Sequence, residues 1–250
     1  MADSDVALAQ AHMRQQVKDV AVVQRALGVA FDRMIDPSRP YSNFGEYLKF
    51  ALRIIEAGRA KGTITADRYY QAARLLGGVG GKLPAFGKPE FEAERWAASL
   101  RATGPANLYD RIVAGQTPTE AKVFAQVATL SAAKRLILDA PRAELIDLTR
   151  RDTESAGWAR VSDGKPCYFC AMLVSRGPVY SEDTVRFIAH DGCGCSVRSV
   201  WKKDPTRGWD KDAKALAALW KETGADGWRS AYTKSISADG ATLSSITKGT

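Results

Sequence analysis

All four cysteines of this 250-residue chain fall between residues 167 and 195, and one of its two histidines lies among them. The stretch passes through Pro166-Cys167-Tyr168-Phe169-Cys170 and closes on His190-Asp191-Gly192-Cys193-Gly194-Cys195. Thiol and imidazole groups gathered this closely constrain the fold more than any other feature of the chain. Cys167-x-x-Cys170 grips one side of a tetrahedral ion, and His190-x-x-Cys193-x-Cys195 offers the other. That makes five soft or borderline donors, Cys167, Cys170, His190, Cys193 and Cys195, where a structural zinc site takes four. Cys167 and Cys170 are the firmest pair; spacing leaves open which two of His190, Cys193 and Cys195 join them. Gly192 and Gly194 let the backbone bend tightly around an ion. The expected cofactor is zinc, in a closed site whose binding energy is also folding energy.

Catalytic readings of the same residues can be tested by counting. Pro166-Cys167-x-x-Cys170 matches half of a zinc deaminase signature, but the other half is an upstream His-x-Glu. The upstream histidine is His12, followed by Met13 and Arg14, so that reading fails. A thioredoxin-like motif belongs in an alternating strand–helix pattern, and the preceding chain reads as helical. A protease with a histidine base would have to use His12 or His190. His12 falls on an ordinary helix, and His190 is committed to the metal set.

Hydrophobic content of 45% and charged content of 26% suit a globular protein. The N-terminal Met1-Ala2-Asp3-Ser4-Asp5 is unlike a secretory signal, and no run approaches the roughly 20 apolar residues of a spanning helix. The expectation is a protein kept in a cytoplasm without membrane contact, where clustered cysteines stay reduced. The net charge of +8 is dispersed: 21 basic and 16 acidic residues in 1–150, six of each in 151–200, nine and six in 201–250. Such a surface suits weak, sequence-independent contact with DNA but lacks the dense stripe of a dedicated reader.

Periodicity predicts a mainly α fold. From Asp3 to Ile35, Met13, Val17, Val20, Leu27, Phe31 and Met34 form the seam of one amphipathic helix about 45–50 Å long. That seam either packs within the chain or docks on a partner helix, with Gln24 setting register. A second helix starts near Asn43, with Glu46 completing a capping box, and ends at Gly62; Thr65 caps a third. Gly77–Gly81 reads as a hinge, because no Lys-Ser or Lys-Thr of a phosphate loop follows it. Helices resume at 89–101 and 106–114. Thr117, Pro118 and Glu120 mark the clearest start in the chain. Val123, Phe124, Val127, Leu130, Leu136 and Ile137 then form an expected buried stripe, and Pro141 opens a further short helix. Beyond Gly157, residues richer in Val, Tyr, Gly and Pro suit short strands and turns. Asp210 caps a returning helix that runs to Gly224, a shorter one holds Trp228 and Tyr232, and 237–250 reads as a mobile tail. The expected architecture is a helical N-terminal body, a small α+β zinc-binding module and a helical C-terminal extension. Its divisions are 1–80, 81–157, 158–201 and 202–250.

Cys-x-x-Cys-Ala-Met-Leu-x-Ser-Arg-Gly-Pro-Val-Tyr from Cys167, followed by His-x-x-Cys-x-Cys from His190, resembles the C-terminal motif of MuF-type phage minor head proteins. The likeness is to the versions in tailed phages of actinobacteria and covers about 158–200. Gly194 stands where many members have arginine. The resemblance implies a minor capsid, head-morphogenesis protein of the virion, inside the head, formed in the host cytoplasm. Its implied partners are the portal or major capsid protein and the packaged DNA, with self-association through the N-terminal helix also open. Similar proteins are often labelled capsid maturation proteases. Two other functions therefore stand beside the structural one: a protease that trims head proteins, and a zinc-containing DNA-binding protein.

Overall fold

The computed structural model describes residues 2–87, 92–162, 164, 166–178, 187, 189–204 and 206–237, the side chains of residues 2–4 and 237 excepted. The fold is mainly α. Its helices are α1 (Ala2–Met34), α2 (Phe44–Leu76), α3 (Ala93–Arg101), α4 (Asn107–Val113) and α5 (Pro118–Arg151), with a π-helical turn at Ala102–Ala106 between α3 and α4. Strands β1 (Ser155–Val161) and β2 (Ser196–Trp201) flank α6 (Tyr168–Ser175), and α7 (Lys211–Ser237) closes the described chain. The expected tail after Ser237 lies outside the described residues. Among the described residues no helix is long and apolar enough to cross a membrane.

The long first helix forms as its periodicity requires. Met13, Val20, Leu27 and Phe31 are buried within the chain, against α2 and α5. Gln24 sets a register here, donating from Nε2 to the Leu130 carbonyl at 2.9 Å. Gln126 answers by donating to the Gly28 carbonyl at 2.9 Å, and Lys122 donates to the Asp32 carbonyl at 2.8 Å. These bonds fix α1 and α5 antiparallel.

Several boundaries differ from expectation. The second and third helices are one, α2, which runs through Gly58 and Gly62. Those glycines are not breakers because α5 lies against them. A Cβ on Gly58 would meet Ile137 Cγ2 at 3.3 Å, and one on Gly62 would meet the Pro141 ring at 3.2 Å. Asn43 does precede the helix but makes no side-chain cap, and Glu46 pairs with Lys49 instead. Pro141 opens no new helix either; it sits inside α5. A helical proline leaves a carbonyl of the preceding turn without its usual donor. The carbonyl that loses its donor is that of Ile137, four residues back; next to it, Arg59 donates from Nη1 to the Leu136 carbonyl at 2.5 Å and ties α2 to this turn.

The stripe assigned to α5 is half wrong. Leu136 and Ile137 are buried, but Val123, Phe124 and Val127 are about half exposed. Ala121, Ala125, Thr129, Ala132 and Ala133 take the inward positions. Small residues let α5 approach its neighbours closely, which turns the larger ones outward. The cap of α5 holds as read: Thr117 accepts from the Glu120 amide at 3.3 Å, and Glu120 Oε2 accepts from the Thr117 amide at 3.2 Å.

The glycine run is braced, not free. Arg74, ion-paired with buried Asp152, donates to the carbonyls of Gly80 and Gly81. Beyond α5, β1 and β2 pair antiparallel, with Trp158 opposite Ser199 and Val161 opposite Ser196. Two strands alone are marginal in water. Here Trp158, Val161, Val197 and Trp201 pack with Tyr69 and Tyr70 of α2 and Leu145 and Leu148 of α5 in one core. Thr149 and Ser199 share a buried hydrogen bond of 2.6 Å across that junction.

Candidate metal centre

Cys167 and Cys170 lie at the start of α6, a helix that composition alone had given to strands and turns. Cys167 is the N-cap: its extended backbone starts the helix, and its sulfur accepts from the Cys170 amide at 3.5 Å. Helix α6 is held from behind by α7. Ala171 and Val174 pack with Leu216, Trp228 and Tyr232. The Trp228 indole donates to the Tyr168 carbonyl at 2.8 Å, and the Tyr232 hydroxyl donates to the Pro166 carbonyl at 2.5 Å. Gly224 leaves helical geometry, with φ 63° and ψ −175°, so α7 is two helical segments that meet at this kink, as expected, and together they form the clamp. Asp210 caps it as expected, accepting from the Ala213 amide at 2.7 Å.

The other donors arrive on the loop that leads into β2. Gly192 takes a left-handed φ of 81°, and its amide donates to the Ser131 carbonyl of α5 at 3.0 Å. The amide of Cys193 donates to the carbonyl of His190 at 3.1 Å, closing the turn. Asp191 takes a hydrogen bond from Arg135 at 2.6 Å. The strongest anchor is Arg142 of α5, whose side chain is only 2% exposed. Its guanidinium donates to the carbonyls of Cys195 and Cys193, each at 2.9 Å.

All five expected donors converge. Cys167, Cys170 and His190 have ligand atoms within 4.8 Å of one another, as do Cys170, Cys193 and Cys195, so Cys170 is common to both groups. His190 Nε2 lies 3.1 Å from Cys167 Sγ and 3.3 Å from Cys170 Sγ, and Cys170 Sγ lies 3.6 Å from Cys193 Sγ. The cysteines are free. A disulfide would bring two sulfurs to ~2 Å. Metal–ligand lengths of tetrahedral zinc instead put its donors about 3.5–3.8 Å apart. The observed spacings lie close to the second pattern. The ring orientation fits too: His190 Nδ1 contacts the Asp191 carbonyl at 2.8 Å, which turns Nε2 toward the sulfurs. These clusters can hold a metal ion.

Electrostatics bears on the same conclusion. Hydrogen bonding with Cys193 and Cys195, then burial, pushes the Cys170 thiol up. Hydrogen bonding with Cys170 and Cys195, helped by the charge of Arg142, holds Cys193 below the ordinary thiol range. Buried sulfurs this close compete for one negative charge, and a cation among them removes the competition. Cys170, Cys193 and Cys195 are buried, whereas Cys167 is exposed. The second histidine takes no part. His12 stacks on Tyr69 with ring centroids 4.5 Å apart, and burial lowers its pKa to about 4.

Sequence reasoning missed the supports of this centre: Arg142, Trp228 and Tyr232. Arg142 sat in a helical stretch with nothing to mark it among the other arginines. The aromatics of α7 and the turn before it did carry a signal, since three tryptophans between 209 and 228 are more than a peripheral extension needs.

No curated protein and no solved structure matches the chain. A family model does: that of the VG15 protein matches residues 4–223, from the first turns of α1 into α7, and so takes in both the helical body and the cysteine cluster. With most of its length matched, the chain belongs to the VG15 protein family, which indicates a phage-encoded protein.

Proposed function

We propose that this chain is a structural minor capsid protein of a tailed phage head, and that its cysteine cluster is a structural zinc site. The observation that carries the reading is the convergence of Cys167, Cys170, His190 and Cys193 at 3.1–3.6 Å contacts, with Cys195 within 4.8 Å of Cys170 and Cys193 and Arg142 anchoring the loop. Four of the five fill a tetrahedral zinc shell and leave no open position for substrate. The ion then joins α6, the 190–195 loop and β2 to the helical body, a fixing role rather than a catalytic one. The VG15 family match and the MuF-like motif support the setting: the inside of a phage head, beside portal or capsid protein. The +8 charge suits packaged DNA nearby. A protease with a histidine base finds poor support, because His12 is packed on Tyr69 and His190 lies among the sulfurs.

Purified protein is expected to hold one zinc per chain by elemental analysis. Chelation is expected to expose Trp158 and Trp201 while most helix remains. Metal-free protein with unchanged tertiary spectra would overturn the zinc part. Imaging of intact virions that placed the chain outside the head would overturn the structural part, as would defined cleavage of unprocessed capsid protein by the purified chain.

A further inference from the structure

The seam of α1 is used up inside the chain, yet the helix pair α1–α5 has a second apolar face. Gly28 and Gln126 face each other across the pair, and each helix turns about 100° per residue. The next residues therefore look outward: Val29 on α1, and Val123 and Val127 on α5, beside Phe124. They are 51%, 54%, 57% and 48% exposed. Arg111 of α4 covers part of the Phe124 ring, 4.3 Å from its centroid, which leaves Val29, Val123 and Val127 as the large apolar groups that this stretch presents to water. A shallow groove floored by Gln24, Gly28, Gln126 and Leu130 separates the two rows.

The face fits itself. A two-fold axis lying across the pair at the level of Gly28–Val29 and Ala125–Gln126 would stack α1 on the α1 of a second copy, antiparallel, and α5 on its α5. In that register residue numbers facing each other sum to the same value along each helix. Arg25 then faces Asp32 of the second copy, and Asp32 faces its Arg25. Val29 comes to the level of Gly28, which itself faces Leu130 and Gln126 of α5. On the other helix Phe124 meets Val127, and Val123 meets Ala128. Arg25 and Asp32 are exposed. The charges are complementary only in this antiparallel sense; a parallel stacking would set like against like. We infer that the outward α1–α5 face is the interface between two copies of this chain, packed about that axis as a four-helix bundle. The surface lies on the opposite side of α1 from the seam that its sequence first offers for association.

Sedimentation equilibrium of the full chain tests this. Wild-type protein is expected to show a concentration-dependent dimer. Arg25→Glu and Asp32→Arg, each on solvated positions, are expected to weaken it about ten-fold by turning two attractions into repulsions. The double variant Arg25→Glu/Asp32→Arg restores the pairing and is expected to recover wild-type association. Val127→Glu is expected to abolish it with helix content unchanged, and to remove the concentration dependence of the melting temperature. A monomer at every concentration overturns the inference. So does a dimer that ignores these changes, or a double variant that does not recover.

Discussion

The helical body and the cysteine module are held together in opposite ways. In the body, α1, α2 and α5 meet along stripes of Val, Leu, Phe, Ala and Gly, and many contacts each contribute a little. In the module, the two-stranded sheet packs on the body and the eight-residue helix on α7, but the loop that carries His190, Cys193 and Cys195 depends on a few polar atoms and a sulfur cluster. The body tolerates substitution wherever volume is conserved. The module concentrates its stability in groups that have no substitute, and Arg142 is the place where the two regimes meet.

The largest effect that tests this contrast is therefore expected from Arg142→Ala. The change leaves the carbonyls of Cys193 and Cys195 buried without their donor. Lost charge-assisted bonds and unsatisfied acceptors together cost about 3–5 kcal/mol. Zinc affinity is expected to fall roughly 10–100-fold, as for other groups that orient ligands without touching metal. Denaturant unfolding and competition with a chromophoric chelator read the two quantities. Equal loss for Arg142→Ala and for a surface arginine variant such as Arg53→Ala would erase the distinction between the regions.

Among the polar groups buried in the body is a histidine, and acid should find it. His12 Nε2 is buried without a hydrogen-bond partner, and burial lowers its pKa from 6.5 to about 4. As pH falls, the unfolded chain takes up the proton first. The stabilising contribution of the neutral ring is complete above pH 6.5 and is lost as pH falls toward 4. The full swing is about 3 kcal/mol. Asp67, pushed up to about 6 by burial and then by Glu144, works in the opposite sense. Comparison with His12→Phe, which keeps the ring against Tyr69, isolates the histidine. Unfolding free energies measured between pH 7 and 4.5 should diverge for the two proteins. Parallel curves would mean that His12 titrates normally.

Legibility in the sequence follows the same division. The seam of α1 and the start of α5 depend on local periodicity and capping, so they were readable. The gathering of the four cysteines and His190 was readable because their chemistry is rare. Gly62 misled as a helix end and Pro141 as a helix start because each is explained by the other helix: Gly62 makes room for the Pro141 ring. Val123, Phe124 and Val127 misled because periodicity gives a stripe but not which stripe faces inward. On α5 the alanines do, since close approach outweighs side-chain size at that contact. Arg142 was silent because its role depends on two carbonyls more than fifty residues away.

The smallest expected effect belongs to the feature that was easiest to read. Thr117→Ala removes the hydroxyl that accepts from the Glu120 amide and leaves Pro118 in place at the first turn. Loss of such a cap costs about 1 kcal/mol. Glu120 is held below the usual carboxylate range by its hydrogen bonds with the Thr117 hydroxyl and amide. The variant should therefore also raise the Glu120 pKa toward its ordinary value, which carboxyl-detected NMR titration can follow. Thr117 begins α5 far along the chain from the cysteines. The lost stability should leave zinc affinity unchanged, in contrast to Arg142→Ala. A fall in zinc affinity with Thr117→Ala would mean that strain passes along α5 from its cap to Arg142, and that body and module unfold as one unit.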